Sequence, residues 1–110
     1  MELHEKAKDL LSSGQLEESC RLFTRFIDEC GDSVEHRAAV TDAYNSRGHI
    51  KYLSVDFPGA IADYSTAMER DPGFAVAWYN RGQVRYRLGH LCLSLLQAGI
   101  RQQRETYCRP

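Results

Sequence analysis

The chain has 110 residues, 43% hydrophobic and 26% charged, the makeup of one ordinary globular domain able to bury a real core. Fourteen Lys and Arg against fifteen Asp and Glu leave a formal charge of -1, so the strong basic surplus of a nucleic-acid binder is missing. No segment approaches the ~18 apolar residues that cross a bilayer, and MELHEKAKDLLSSG, with charges scattered through it, lacks the uninterrupted apolar run expected of a signal peptide.

In chain order, the spacing predicts helices throughout. Leu3, Ala7, Leu10 and Leu11 fall on one stripe of an amphipathic helix, which Ser12, Ser13 and Gly14 interrupt. A second stripe runs through Leu16, Cys20, Phe23, Ile27 and Cys30, widened by Phe26, with Cys20 as small core filler. Gly31, Asp32 and Ser33 break it, and a longer helix rich in alanine and aromatics is expected from about 36 to 53. Asp56 is a good N-cap for the fourth helix, because its carboxylate can accept from free backbone N–H groups of the first turn. Pro58 costs little within that turn. Phe57, Ala60, Ile61, Tyr64, Ala67 and Met68 form the apolar face. Pro72 stops the helix by pushing Asp71 out of the helical region. A fifth helix carries Trp78 to Leu88 and is expected to end at Gly89. No useful strand-like alternation occurs, so the fold class is all-α.

Residues 44–52 read YNSRGHIKY and residues 78–86 read WYNRGQVRY, with Gly48 and Gly82 34 positions apart. A shift of 34 places Trp78 on Tyr44, Arg81 on Arg47, Gly82 on Gly48, Val84 on Ile50, Arg85 on Lys51 and Tyr86 on Tyr52. A 34-residue period over two helices, with an aromatic and glycine in the first and A-x3-aromatic then proline in the second, resembles the tetratricopeptide-repeat (TPR) family. The best copy spans 41–74, with Tyr44, Gly48, Ala60, Tyr64, Ala67 and Pro72 in the pattern's slots. A degenerate copy spans 2–31, with Ala7 in the glycine slot, Ser19 for alanine and Phe23 for the second aromatic. A third, 75–110, carries Trp78, Gly82 and Gly89 but has an atypical second helix.

The resemblance implies a single TPR-like domain over 1–110, a short α-solenoid of antiparallel helix pairs with about two and a half repeats. Gly48 and Gly82 are expected where helices approach closely, beside bulky Tyr44 and Tyr64. Arg47, Lys51, Arg81 and Arg85 stand where the pattern has leucine and tyrosine. Their stems are expected to cover the core edge while the charges reach water. After Gly89, HLCLSLLQAGIRQQRETYCRP fits a second helix poorly: Ala98 is undersized for the aromatic slot and Arg101 replaces a small residue. Two readings stay open here, a variant ending such as an alternative exon, or a divergent native last helix.

No framed nucleophile, P-loop, dinucleotide fingerprint or paired metal-spaced histidine occurs, and His4, His36, His49 and His90 are dispersed. The four cysteines (Cys20, Cys30, Cys92, Cys108) show no CxxC pair and no zinc-ligand spacing, and are expected to be reduced thiols in a cytoplasmic or nuclear protein. No enzyme, cofactor or metal is expected. Asn45, His49 and Tyr52 share one helix face, and Tyr79, Gln83 and Tyr86 repeat it, with Ser46 and Asn80 beside them. In the family this face lines a concave groove, so the resemblance implies peptide or helix binding there. The plainer reading is a solvated face with Tyr52 and Tyr86 packed on a neighbouring helix. Some TPR proteins clamp a chaperone's terminal carboxylates with Lys, Asn and Arg in this groove; His4, Lys8, Ser46, Val76 and Asn80 stand at those positions and do not match. The expected function is a non-catalytic adaptor or scaffold for a protein or peptide partner, without nucleic acid or membrane insertion. The alternative is a variant fragment whose last helix, through Leu91, Leu93, Leu95 and Leu96, pairs with a partner or with itself.

Overall fold

The computed structural model describes residues 2–97, and side chains as far as residue 91. Five α-helices follow one another: α1 (Glu2–Ser12), α2 (Leu16–Cys30), α3 (Arg37–Leu53), α4 (Phe57–Arg70) and α5 (Ala75–Gln97). Among the described residues there is no strand. The all-α expectation holds for this region, with boundaries close to those the sequence predicts until α5.

The punctuation works as its chemistry requires. Gly14 adopts φ +83 between α1 and α2, a left-handed conformation open to glycine at little cost. The Asp56 carboxylate accepts from the Gly59 N–H at 3.0 Å, and Pro58 lies in the first turn of α4. Asp71, ahead of Pro72, leaves the helix in an extended conformation. At the end of α3 the Asp56 N–H reaches back to the Lys51 carbonyl, closing the chain over Val55 at φ +66.

Consecutive helices pack on one another, and α1 meets α3 as α3 meets α5. Pairing between α3 and α4 runs antiparallel: Tyr52 meets Phe57, Gly48 meets Ala60 and Tyr64, Arg47 meets Asp63, and Arg37 reaches the Arg70 carbonyl. The largest core joins α1, α2 and α3 through Ala7, Leu22, Phe23, Phe26, Ile27, Val40, Ala43 and Ile50. Burying each phenylalanine there contributes roughly 2–3 kcal/mol. Smaller clusters join α4 to α5, one of Ala60, Tyr64 and Val84, the other of Ala67, Met68 and Ala77. Cys20 and Cys30 are free thiols at the edge of the large core, so Cys20 fills a margin rather than the interior. This serial packing is consistent with a helical repeat.

Two expectations fail in α5. The helix does not end at Gly89; it continues to Gln97. Glycine commonly ends a helix by taking positive φ, which Gly89 does not, and the good helix formers beyond it, with no proline, carry the helix on. The second failure is Gly82. A Cβ at Gly48 would lie 2.9 Å from the Tyr64 ring and 3.3 Å from the Ala60 carbonyl oxygen, so close helix approach does require glycine there. A Cβ at Gly82 would meet nothing within 4 Å, because α5 runs straight on and no sixth helix crosses it among the described residues.

Two of the four basic slots, those of Arg47 and Lys51, also depart from expectation, while Arg85 is exposed. The charges of Arg47 and Lys51 do not reach for water but turn inward to the buried Asp63. Arg47 donates through Nε and Nη2 to both carboxylate oxygens at 2.8 Å, and Lys51 Nζ stands 3.1 Å away. Burial of Asp63 makes full pairing obligatory, since an isolated carboxylate there would be costly.

Candidate functional site

The 34-residue repeat gives α3 and α5 the same three faces. One faces the preceding helix: Ala43 and Ile50 are buried in the large core, and their counterparts Ala77 and Val84 on α4. A second faces the following helix and holds Tyr44, Arg47, Gly48 and Lys51 on α3. The third holds the predicted groove residues.

Those residues line a cleft of about 200 Å³ formed by His49 and Tyr52 of α3, Tyr64 of α4, and Tyr79, Asn80, Gln83 and Val84 of α5. Asn80 Nδ2 donates to Asn45 Oδ1 at 3.1 Å, tying the two related helices together at one edge. Gln83 Nε2 donates to the Tyr79 hydroxyl one turn away. Tyr52 is half-buried, 5.7 Å from Phe57 ring to ring, with the Arg87 guanidinium over its face at 5.9 Å. Tyr64 forms the apolar floor. Burial, then Tyr52 and Asp63, push its phenol up to about 12, so it stays protonated at neutral pH.

Five of the eight predicted residues therefore meet in one cleft: His49, Tyr52, Tyr79, Asn80 and Gln83. Asn45 borders them through its bond to Asn80. Ser46 is buried, and Tyr86 stands apart, 71% exposed and stacked on His90. Tyr52 packs on its neighbour, as the plainer reading expects, yet also lines the cleft; Tyr86 does not pack on a neighbouring helix. The lining offers amides, phenols and an imidazole, with no carboxylate, ammonium or guanidinium among its residues. Such groups can hydrogen-bond a peptide backbone while the tyrosine rings supply rigid contact area.

A wider hollow of about 710 Å³ lies between the α1–α2 turn and the end of α3, bordered by Leu16, Cys20 and Ile50 and by Glu17, Arg21, Lys51 and Asp56. Among the described residues no group of three or more His, Cys, Asp or Glu could hold a metal ion, and no helix is long and apolar enough to cross a membrane.

Sequence reasoning missed the two carboxylates that organise the molecule. Asp63 anchors Arg47 and Lys51, while Arg47 Nη1 also donates to Thr24 Oγ1 of α2 at 3.1 Å. The hydrogen bonds to Asp63 hold the Arg47 guanidinium above its ordinary range. Asp42 accepts from His4 Nε2 at 2.9 Å and Lys8 Nζ at 3.3 Å, joining α3 to α1. The signal was present: basic residues in apolar slots of one helix call for an acid on the facing one. His4 is itself buried, stacked on Phe26 at 5.2 Å.

The chain matches no protein-family model, and no solved structure matches it at a significant level.

Proposed function

We propose that this chain is a non-catalytic protein-interaction module of tetratricopeptide-repeat type, acting in the cytoplasm or nucleus, which holds an extended peptide segment or a helix in the α3–α5 cleft. The observation that carries the reading is the convergence of His49, Tyr52, Tyr79, Asn80 and Gln83, from two helices related by 34 residues, on one concave surface. Contacts between alternate helices support it. Asn80 meets Asn45, 35 residues back and within one position of the 34-residue period, and Lys8 of α1 meets Asp42 of α3, so α3 contacts both α1 and α5. The antiparallel α3–α4 pair and Gly48 against Tyr64 agree with the family's pattern.

A photo-crosslinking residue at position 83 tests the reading. Crosslinks in cells to one or a few proteins are expected, reduced strongly by Tyr79→Ala and restored when that residue is returned. Crosslinking to no protein, or to proteins indifferent to Tyr79→Ala, would remove the cleft as a binding site.

A further inference from the structure

The face of α3 that receives α4 recurs on α5, where no other described helix covers it. On α3, Tyr44, Arg47, Gly48 and Lys51 cradle α4: its backbone approaches Gly48, and Asp63 inserts between Arg47 and Lys51. On α5 the corresponding residues are Trp78, Arg81, Gly82 and Arg85. The correspondence extends to geometry. The Arg47 guanidinium lies 5.4 Å over the Tyr44 ring, and that of Arg81 lies 5.4 Å over Trp78. Arg47 Nη1 donates to Thr24 of the preceding helix at 3.1 Å, and Arg81 Nη1 to Ser65 of the preceding helix at 3.1 Å. Arg81 is thus held in the pose in which Arg47 grips its carboxylate.

What differs is the occupant. Among the described residues no carboxylate meets Arg81 or Arg85 within ion-pair distance. Trp78 is 50% exposed, and the groove over Gly82 is open. The residues 34 positions beyond Ala60, Asp63, Tyr64 and Ala67 are Ser94, Gln97, Ala98 and Arg101, so the carboxylate, the aromatic and the second small residue are all replaced. Ser94 and Gln97 moreover lie on α5 itself and cannot cross its own face. The α4 of a second copy is a poor candidate, since its Asp63 and Tyr64 are already buried within that copy.

The geometry points to a docking surface on α5, formed by Trp78, Arg81, Gly82 and Arg85, for a helix of another protein bearing the α4 pattern. That pattern is a small residue at the Gly82 crossing, an aspartate three positions on to meet Arg81 and Arg85, an aromatic next to it, and a second small residue three further. The surface is separate from the α3–α5 cleft. The two arginines select the acidic partner, since a helix lacking the carboxylate would leave both cations pressed against apolar surface. Gly82 selects by shape, admitting only a closely approaching backbone.

The probe is a side-chain-stapled peptide of this chain's residues 56–71, shown to be helical by circular dichroism and titrated into the full chain while emission of the single tryptophan, Trp78, is followed. A saturable blue shift is expected as the indole leaves water. Replacing the peptide's aspartate at position 63 by lysine should weaken binding roughly thirty-fold or more, and Arg81→Glu with Arg85→Glu in the chain should restore that peptide. Gly82→Leu, whose Cβ would meet nothing within 4 Å in the chain itself, should abolish binding with helix content retained. Absence of a saturable shift, or a shift indifferent to Gly82→Leu, would overturn the proposal. So would dimerisation of the chain alone that Gly82→Leu abolishes, because a second copy would then own the face. Crosslinking from position 83 in the cleft is a separate readout, so either site can fail without the other.

Discussion

Gly48 and Gly82 occupy the same place in the repeat and do opposite things. At Gly48 a methyl group would press on the Tyr64 ring and the Ala60 carbonyl, so Gly48→Ala should destabilise by about 2 kcal/mol, measured by urea unfolding. At Gly82 the methyl enters open space within a helix, and Gly82→Ala should stabilise by up to about 1 kcal/mol. Asp63 is the other decisive residue. Asp63→Ala would strand Arg47 and Lys51 beside a buried site, and a loss of about 3 kcal/mol is expected in the same measurement. Tyr64 supplies a pH dependence. Its phenol is raised to about 12 in the folded state, so folding favours the protonated form. That contribution is intact below its ordinary value near 10 and is lost as pH climbs towards 12, roughly 2–3 kcal/mol in all. Tyr64→Phe should flatten the alkaline limb of the stability profile; an unchanged limb would remove Tyr64 as its cause.

Individual helices show why boundaries were legible up to α4 and not beyond. Each of the first four breaks carries its own local chemistry: Gly14 in a left-handed turn, the Gly31–Ser33 stretch, the Asp56 cap with Pro58, and Pro72. Gly89 resembles such a stop but lacks a following cap or proline, and a lone glycine lowers helix stability without ending it. Gly89→Ala should therefore increase ellipticity and stability by up to about 1 kcal/mol; a loss would mean that the glycine terminates the helix after all. The end of α3 shows the reverse case. Val55 holds φ +66, where β-branched residues are strained and glycine is not. Val55→Gly should raise the urea midpoint by an amount equivalent to about 0.5–1 kcal/mol.

Across the whole molecule, extents of 51 × 29 × 19 Å describe an elongated stack in which helices meet chiefly their neighbours in sequence. Such a stack distributes its apolar burial among small clusters, which argues for modest stability, about 5 kcal/mol by urea extrapolation. By itself the sequence determined the helical class, four of the five helix ends, the 34-residue register and the set from which the cleft is drawn, because spacing, caps and prolines act within a few residues. It also placed Arg47, Lys51, Arg81 and Arg85 in slots meant for apolar side chains, without saying where the charges would go. Only the tertiary structure decided that Asp63 collects the first two, that Tyr52 lines the cleft while Tyr86 stands outside it, and that Gly82 faces open space. Those outcomes depend on which helix crosses which, and two copies of one local pattern diverge when only one of them is covered.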